Sequence, residues 1–260
     1  MSEMIIVEDH DDVAVVRLAH GRVSALDIEL CHALTNTFRT LASTKPIVLT
    51  GTGSVFSAGV DLCRIRDDGP AYIAEFLPAV DEAFLAVFET PRPVVAAING
   101  HAIAGGCVLA AACDVRVMSA GTIGVTELPV GIPFPPAALE IVRYAFGSAT
   151  DRLVLTGTTM DATSAHARGI VDEVTDPDQL LTRAIRHARA LGAVPAPTYA
   201  LTKSQLHRPA TRLIEEGRAL RDDAQVLATW RSSAAHTAVT EYLDRLTRRP
   251  GRRRREGAAV

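Results

Sequence analysis

Residues 93–113 form a stretch of 21 residues without a formally charged side chain. A stretch of this length could cross a membrane as a helix. However, the dipeptides Asn99-Gly100 and Gly105-Gly106 interrupt it, and Asp114 and Arg116 follow at once. Glycine and asparagine at these places favour a buried strand, a turn and a buried helix. We therefore expect this stretch to lie in the core of a globular domain and not in a bilayer.

Short apolar segments of this kind alternate with helical patterns along much of the chain. Strands are predicted at residues 13–18, 46–50, 93–98, 115–118 and 170–174, and helices at 27–41, 71–89, 105–113 and 162–168, the last with Asp161 as its N-cap. This alternation indicates an α/β fold in which helices cover the faces of a sheet. After residue 174 the chain is predicted to be helical as far as about Leu246.

Three regions are therefore expected. Residues 1–195 form the core that carries the functional site, and residues 196–247 form a helical region whose apolar positions pack on the core or on a neighbouring subunit. Residues 248–260 form a basic tail, predicted to be disordered, with six arginines and Glu256. Two interpretations of the tail stay open: a solvated terminus or an arm that binds a polyanion.

The charge of the chain argues against nucleic acid as a partner. The whole chain has 27 Lys and Arg against 30 Asp and Glu, a net charge of −3. Without the six tail arginines and Glu256, 21 basic and 29 acidic residues remain, a charge of −8. A body this acidic is a poor binder of nucleic acid.

The cysteines and the N-terminal residues point to a cytoplasmic protein without a metal site. The four cysteines contain no CxxC pair and no spacing typical of metal ligands, so reduced thiols are predicted. The first twelve residues carry acids where a signal peptide would carry bases, and their apolar run is short.

The first candidate site is a strand followed by a glycine-rich loop. Gly51 and Gly53 lack the third glycine of a dinucleotide-binding loop, and Ser57 lacks the flanking glycines of a hydrolase nucleophile. What remains is the sequence Ser-Ala-Gly-Val-Asp at residues 57–61. Either its small residues let the backbone approach a ligand closely, or it is a tight loop in which Asp61 caps the next helix.

The dipeptide Gly105-Gly106 is the second candidate, because it stands directly before an apolar helical pattern. The first N–H groups of a helix have no intrahelical acceptor, and the helix dipole is positive at that end. Such an end can receive an anion, including one that exists only in a transition state. The alternative is close packing of a buried helix through its glycines.

Glu127 is the third candidate, as the only acid in a segment rich in glycine and proline, residues 122–136. Burying an unpaired carboxylate is costly and raises its pKa by about a unit or more. Glu127 is therefore a candidate general base. The alternative is an exposed carboxylate in a turn.

Together these segments resemble the enoyl-CoA hydratase/isomerase (crotonase) family, over residues 13–246. The resemblance is carried by AG-x-D at residues 58–61, by A-x-NG and AGGC at 97–100 and 104–107, and by CD-x-R at 113–116. It implies a ClpP/crotonase-like α/β fold of repeated ββα units with a C-terminal helical trimerisation region. The implied protein partner is the chain itself, in a homotrimer or homohexamer.

The resemblance also implies an acyl-CoA thioester substrate, with no cofactor beyond the coenzyme A of that substrate. The backbone N–H groups of Val60 and Gly105 would form an oxyanion hole, because deprotonation beside a thioester places negative charge on the carbonyl oxygen. The implied substrate-binding positions are Ala25, Leu26, Ala58, Val60, Asp61, Leu62, Gly105 and Val108. The apolar side chains of Leu77, Phe84, Leu85 and Phe88 suit a fatty acyl tail.

Carboxylates divide this family by reaction. Its hydratases use two glutamates to position and split a water, and in this chain the first position is Val108 and the second is Glu127. One carboxylate is enough to move a double bond from C3–C4 to C2–C3. The segments at residues 104–116 and 123–132 resemble Δ3,Δ2-enoyl-CoA isomerases more than hydratases. Pro135 stands where a dienoyl-CoA isomerase would carry an acid. A hydratase, or a non-catalytic acyl-CoA-binding homologue, remains the alternative.

Overall fold

The computed structural model describes residues 4–248, in ten strands and eleven α-helices. The strands are β1 Ile5–His10, β2 Val13–Leu18, β3 Ile47–Thr50, β4 Val55–Ser57, β5 Val94–Ile98, β6 His101–Ile103, β7 Val115–Met118, β8 Thr122–Gly124, β9 Thr159–Asp161 and β10 Glu173–Val174. The helices are α1 Ile28–Leu41, α2 Leu62–Phe88, α3 Gly105–Ala111, α4 Glu127–Val130, α5 Pro136–Phe146, α6 Thr150–Thr156, α7 Ala162–Ala167, α8 Leu180–Gly192, α9 Ala196–Ala219, α10 Asp222–Trp230 and α11 Ser233–Arg248. The predicted basic tail lies, from residue 249 onward, outside the described residues.

The larger sheet has six strands in the order β1-β2-β3-β5-β7-β10, parallel except for the antiparallel pair β1–β2. Its central strands β3 and β5 are buried at every position, because helices and loops cover both faces of the sheet. Val15, Val48 and Val95 belong to the cluster that packs on α8, whereas Val16 and Leu49 belong to the main core with α1 and α2. The predicted α/β class is confirmed.

A second sheet has four short strands in the order β4-β6-β8-β9. The first three run parallel, and β9 pairs antiparallel with β8. None of these strands was predicted, because a strand of three residues contains too little alternation to be distinguished from a turn. Strand β1 and helices α5 and α6 were also missed, and β10 spans two residues where residues 170–174 were predicted.

Helix α2 is longer than predicted and is bent. It begins at Leu62, nine residues before the predicted start, and Gly69 within it has φ 71° and ψ −158°. Pro70 cannot donate a backbone hydrogen bond and disfavours helical geometry in the residue before it. The sequence pattern before the proline was therefore read as a loop, although a first helical segment stands there. Helix α3 ends at Ala111, two residues earlier than predicted.

The C-terminal helices pack on the same chain. Helix α9 lies against α5, α10 against α2, and α11 against α2 and α4, and Ile214, Trp230 and Val239 are buried there. Another set of apolar side chains is exposed along α9 and at its C-cap: Leu201, Leu206, Leu213 and, at the cap, Leu220. The division at residue 195 and the role of this region in oligomerisation stay predictions.

No helix within residues 4–248 is both long enough and apolar enough to cross a membrane. Residues 93–113 form β5, β6 and α3, as a buried strand, turn and helix with one additional short strand. The cytoplasmic location stays a prediction.

Candidate functional site

The three positions predicted to carry chemistry follow three neighbouring parallel strands of the small sheet. Val60 lies three residues after β4, Gly105 two residues after β6, and Glu127 three residues after β8. Parallel strands end at the same edge of a sheet, and sites in α/β proteins form outside that edge. The small sheet therefore brings together residues that are 45 and 22 positions apart in the sequence.

The loop at residues 58–61 is held by backbone pairing with the segment before α1. The amide N–H of Leu26 donates to the carbonyl oxygen of Gly59 at 2.8 Å, and that of Asp61 donates to Leu26 at 3.0 Å. Val60 lies between these two bonds, in a parallel bridge with Leu26. Its own N–H finds no acceptor within the described chain, so it is free to bind a ligand atom.

Asp61 is the N-cap of α2. Its Oδ1 accepts hydrogen bonds from the amides of Cys63 and Arg64, at 3.0 and 3.1 Å. The alternative noted for this loop, a capping role for Asp61, is therefore confirmed. The cap also fixes the direction in which the loop leaves the sheet, and so the position of Val60.

Gly105 is the first residue of α3 and faces this loop closely. A Cβ atom placed on Gly59 would lie 2.9 Å from the Gly105 amide nitrogen, and Gly59 has φ +81°, a conformation that favours glycine. No acceptor for the Gly105 N–H occurs in residues 4–248. Two backbone donors without an acceptor among the described residues, at Val60 and Gly105, thus lie on two segments that pack closely against each other.

Ala104 holds Gly105 in place at a conformational cost. It has φ 52° and ψ −123°, unusual for a residue with a side chain. Its N–H donates to the carbonyl oxygen of Gly124, at 2.9 Å, at the end of β8. The backbone that carries Gly105 is therefore tied directly to the strand that leads to Glu127.

The two glycines that begin α3 have different neighbours. A Cβ on Gly106 would lie 2.2 Å from the backbone carbonyl oxygen of Ser57, whereas a Cβ on Gly105 would lie 2.8 Å from Cδ1 of Leu26 and 3.4 Å from Cζ of Phe84. Gly106 thus serves the close packing of α3 on β4. Gly105, in contrast, faces the ends of two side chains, those of Leu26 and Phe84.

Glu127 is buried, with only 6% of its surface exposed. Its Oε2 has no hydrogen-bond partner among the described residues. Desolvation raises the pKa of this carboxyl to about 7, while the nearby amides of Thr126 and Glu127 itself oppose the rise. A carboxyl with a pKa near neutrality can both accept and return a proton.

The first turn of α3 is buried and apolar. Burial raises the pKa of the Cys107 thiol, and the Glu127 charge raises it further. Val108, one residue later, is 1% exposed. A buried apolar side chain therefore occupies the position at which a second carboxylate was considered.

The other predicted substrate-binding residues lie in or directly after the two paired loops. Leu26 is buried beside Gly105, and Ala25, Ala58 and Leu62, the last at the start of α2, are half-buried. Ser57, in the predicted small-residue loop, has a buried Oγ that donates to the Ser24 carbonyl oxygen at 2.8 Å and accepts from the Gly59 amide at 3.2 Å. Its role in tying the loops together has no local sequence signal.

The four residues proposed for a fatty acyl tail occupy different places. Phe84 reaches the Gly105 position, whereas Leu77 and Leu85 line a cavity farther along α2. Phe88 stacks on His207, with ring centroids 3.8 Å apart, and belongs to the packing of α9. No group of three or more His, Cys, Asp or Glu side chains suited to a metal ion occurs in the part of the chain that the structure describes.

The burial of Glu127 predicts a pH-dependent difference in stability between the protein and its Glu127→Gln variant. The folded-state pKa of about 7 lies above the ordinary value of 4.5, so ionisation destabilises the folded state increasingly as pH rises from 4.5 to 7. Glutamine carries no such penalty. We expect urea denaturation to give equal stabilities near pH 4.5, and a variant more stable by about 3 kcal/mol at pH 8. An equal difference at both pH values would contradict the burial of an ionising carboxyl.

The chain is similar to known proteins over most of its length. The family model described as Enoyl-CoA hydratase/isomerase matches residues 8–249. Enoyl-CoA delta isomerase 1, mitochondrial, from Mus musculus is 31% identical, over 95% of this chain and 88% of the relative. A probable enoyl-CoA hydratase from Rhizobium meliloti (strain 1021) is 29% identical, over 83% and 85% of the two chains.

Among solved structures, the chain is similar to the crystal structure of human mitochondrial delta3-delta2-enoyl-CoA isomerase. The TM-score is 0.89 at 28% identity, covering 96% of this chain and all of that one. The predicted crotonase fold is confirmed by this match.

Proposed function

The chain belongs to the enoyl-CoA hydratase/isomerase family of fatty acid metabolism, and from this premise we propose that it is a Δ3,Δ2-enoyl-CoA isomerase. The observation that carries the proposal is the buried carboxyl of Glu127, whose Oε2 has no hydrogen-bond partner among the described residues, at the sheet edge that also carries the free N–H groups of Val60 and Gly105. Moving a double bond by one position requires one base that gives back the proton it takes. The similarity to two proteins named as enoyl-CoA isomerases, from mouse and human, supports the same reaction.

In the proposed reaction, Glu127 removes a proton from C2 of a 3-enoyl-CoA. The electron pair of that C–H bond moves into the thioester, and the enolate oxygen receives hydrogen bonds from the N–H groups of Val60 and Gly105. Each preorganised donor contributes about 3 kcal/mol to the transition state. Glu127 then delivers the proton to C4, the double bond forms between C2 and C3, and the enzyme returns to its starting state.

The two loops that pair through Leu26 and Val60 are proposed to hold the coenzyme A part of the substrate. The residues proposed to contact it are Ala25, Leu26, Ala58, Asp61 and Leu62. Backbone donors and one carboxyl account for every charge that the reaction develops, so we propose no metal and no cofactor beyond coenzyme A. The presence of a glutamate at position 127, where the proposed reaction needs its base, argues against a non-catalytic acyl-CoA-binding protein.

Enoyl-CoA hydratase is the second candidate, because relatives of similar identity bear that name. Hydration needs a water held between a base and an acid, and Val108 offers neither group. We therefore expect pure protein to convert 3-hexenoyl-CoA to the conjugated 2-enoyl thioester, seen as rising ultraviolet absorbance, and to leave crotonyl-CoA nearly unchanged. Loss of crotonyl-CoA absorbance at a comparable rate would establish the hydratase instead.

The variant Val108→Glu tests why hydration is absent. A second carboxyl beside Glu127 would raise the pKa of one of the two, which supplies the acid and the base that hydration needs at one pH. We expect a measurable gain of crotonyl-CoA hydration and a partial loss of isomerisation. Val108→Gln is the matched control, because it adds the volume and polarity without the acid, and it should gain no hydration. A glutamate in this apolar place costs about 1–3 kcal/mol of stability, so thermal melts accompany the assay.

We propose that the chain assembles as a homotrimer or homohexamer through the exposed leucines of α9. Leu206, Leu213 and Leu220 recur every seven residues and are about half exposed or more. A row of exposed leucines on one helix is typical of a protein–protein contact. Light scattering of the full chain should give three or six times the 27.7 kDa chain mass, and a monomer would remove this proposal.

A further inference from the structure

A cavity of about 740 Å³ lies between α1, α2, α9 and α10. Most of its wall is apolar, formed by Phe38, Leu77, Leu85, Val226 and Leu227. Val60, Gly105 and Glu127 are not part of this wall. A cavity of this volume is of the size that holds small molecules in proteins.

One carboxyl in this wall, that of Asp81 on α2, has a buried oxygen without a partner. Its Oδ1 has almost no accessible surface and forms no hydrogen bond within residues 4–248. Burial raises the pKa of this carboxyl to about 7, and the charge of Asp223 raises it further, whereas Arg218 lowers it. A ligand in the cavity would reach this carboxyl through its other oxygen, and a hydrogen bond donated there would offset part of the desolvation.

The guanidinium groups at the rim of the cavity do not supply a hydrogen-bond donor to Asp81. Arg39 is paired with Glu82, at 2.6 Å, and Arg218 lies 3.8 Å from Asp223. With Asp81 and Glu89, the cavity is bordered by four carboxylates and two guanidinium groups. The excess is negative, which favours a cationic ligand over an anionic one.

The cavity lies close to the active site without being part of it. Leu77 and Phe84 are seven residues apart on α2 and therefore share one face of the helix. Phe84 reaches to within 3.4 Å of a Cβ placed on Gly105, and Leu77 lines the cavity. An apolar chain that passes Phe84 would meet the cavity two helical turns away.

We propose that this cavity binds an aliphatic chain that carries a hydrogen-bond donor, an ammonium group in preference to a hydroxyl, and that Asp81 accepts this bond. Two sources offer such a chain: a free amphiphile, or the distal part of the acyl chain of the thioester substrate. The second source rests on the proposed isomerase function. The first does not.

Direct binding tests the chemistry of the site. Probes are n-decylamine, 1-decanol and decanoate, each below its aggregation limit, titrated into the full chain by calorimetry and followed by the fluorescence of Trp230. Trp230 is the only tryptophan and lies on α10 one turn beyond Leu227. We expect decylamine to bind more tightly than decanol, and decanoate to bind most weakly or not at all.

Variants of Asp81 distinguish a specific hydrogen bond to this carboxyl from non-specific binding of an apolar chain. Asp81→Leu should weaken decylamine at least tenfold, whereas Asp81→Asn should weaken decylamine but keep decanol, because an amide oxygen still accepts a hydrogen bond. Glu75→Gln is the matched control on the same helix, since Glu75 is exposed and is not part of the cavity wall, and it should bind all probes as the unmodified protein does. Melting curves verify that each variant is folded.

Equal binding of the three probes, or decylamine binding unchanged in Asp81→Leu, would overturn the proposal. So would the absence of any binding together with a smaller assembly mass for Asp81→Leu, since a second copy of the chain would then fill the cavity.

Activity measurements distinguish the two sources. Plain 3-hexenoyl-CoA is compared with a longer 3-enoyl-CoA that carries a terminal amine, in the unmodified protein and in Asp81→Leu. If the substrate chain is the ligand, kcat/KM falls at least tenfold in the variant for the amino substrate and stays unchanged for hexenoyl-CoA. Unchanged values for both substrates, with decylamine binding lost, assign the cavity to a free amphiphile. If the unmodified protein converts neither substrate, the proposed function fails, while the binding result stands by itself.

Discussion

Replacement of Glu127 by glutamine is expected to lower kcat for 3-hexenoyl-CoA by about 10⁴-fold and to leave the affinity for acyl-CoA nearly unchanged. Loss of a general base costs about 10²–10⁴-fold, and here one carboxyl performs both proton transfers, which places the effect at the top of that range. Glutamine has the same shape but cannot take a proton from carbon. Steady-state rates and the dissociation constant of a saturated acyl-CoA measure the two quantities separately.

Glu140→Gln is a matched control for this loss. Glu140 is another partly buried carboxyl whose pKa is raised by burial, but it lies on α5 and pairs with Arg143 at 3.3 Å. We expect its variant to keep full activity. If Glu127→Gln retained more than about a tenth of kcat, Glu127 would not be the base.

Gly105→Val is expected to lower turnover by about 10²–10³-fold while the protein remains folded, because its N–H can no longer reach the thioester oxygen. The added Cβ meets the ends of the Leu26 and Phe84 side chains, at 2.8 and 3.4 Å. Side-chain ends can move, but the move shifts Leu26, which pairs with Val60. Circular dichroism and light scattering should match the unmodified protein.

Gly106→Ala provides the contrast. Its Cβ would lie 2.2 Å from the Ser57 carbonyl oxygen, a backbone atom that cannot yield without displacing β4. We expect this variant to lose soluble yield and to melt at a lower temperature, in spite of its smaller side chain. An aggregated Gly105→Val protein would indicate that Gly105, like Gly106, serves only the packing of α3.

The strands of the large sheet were largely predictable from the chain itself. Strands β2, β3, β5 and β7 are mostly apolar and largely buried, and the local pattern locates them within one residue. Helix α1 was predicted from its periodicity, with Asp27 as its first residue; in the structure Asp27 is the N-cap and accepts the Leu30 N–H at 2.8 Å. Where a local rule conflicted with the fold, the prediction was wrong, as at Pro70, where two helical segments continue across a bend.

The candidate residues of the site were found from motifs. Local sequence patterns, however, do not show which of these residues lie close together in space. Val60, Gly105 and Glu127 meet because β4, β6 and β8 pair in parallel. Each of these strands has three residues, so its pairing depends on partners about 20 or more positions away and not on its own composition. The strained turn at Ala104 has the same origin, since it is held by the Gly124 carbonyl oxygen.

The sequence by itself determined the α/β class, the large sheet and the three segments from which the site is built, because periodicity and small-residue motifs act over short stretches of chain. Only the tertiary structure decided that Glu127 is buried without a partner, that Asp61 caps α2, and that Asp81 faces a cavity. Desolvation depends on which distant segments exclude water from a group. Two acids with similar local surroundings can therefore differ by several pKa units, and that difference arises only when the chain has folded.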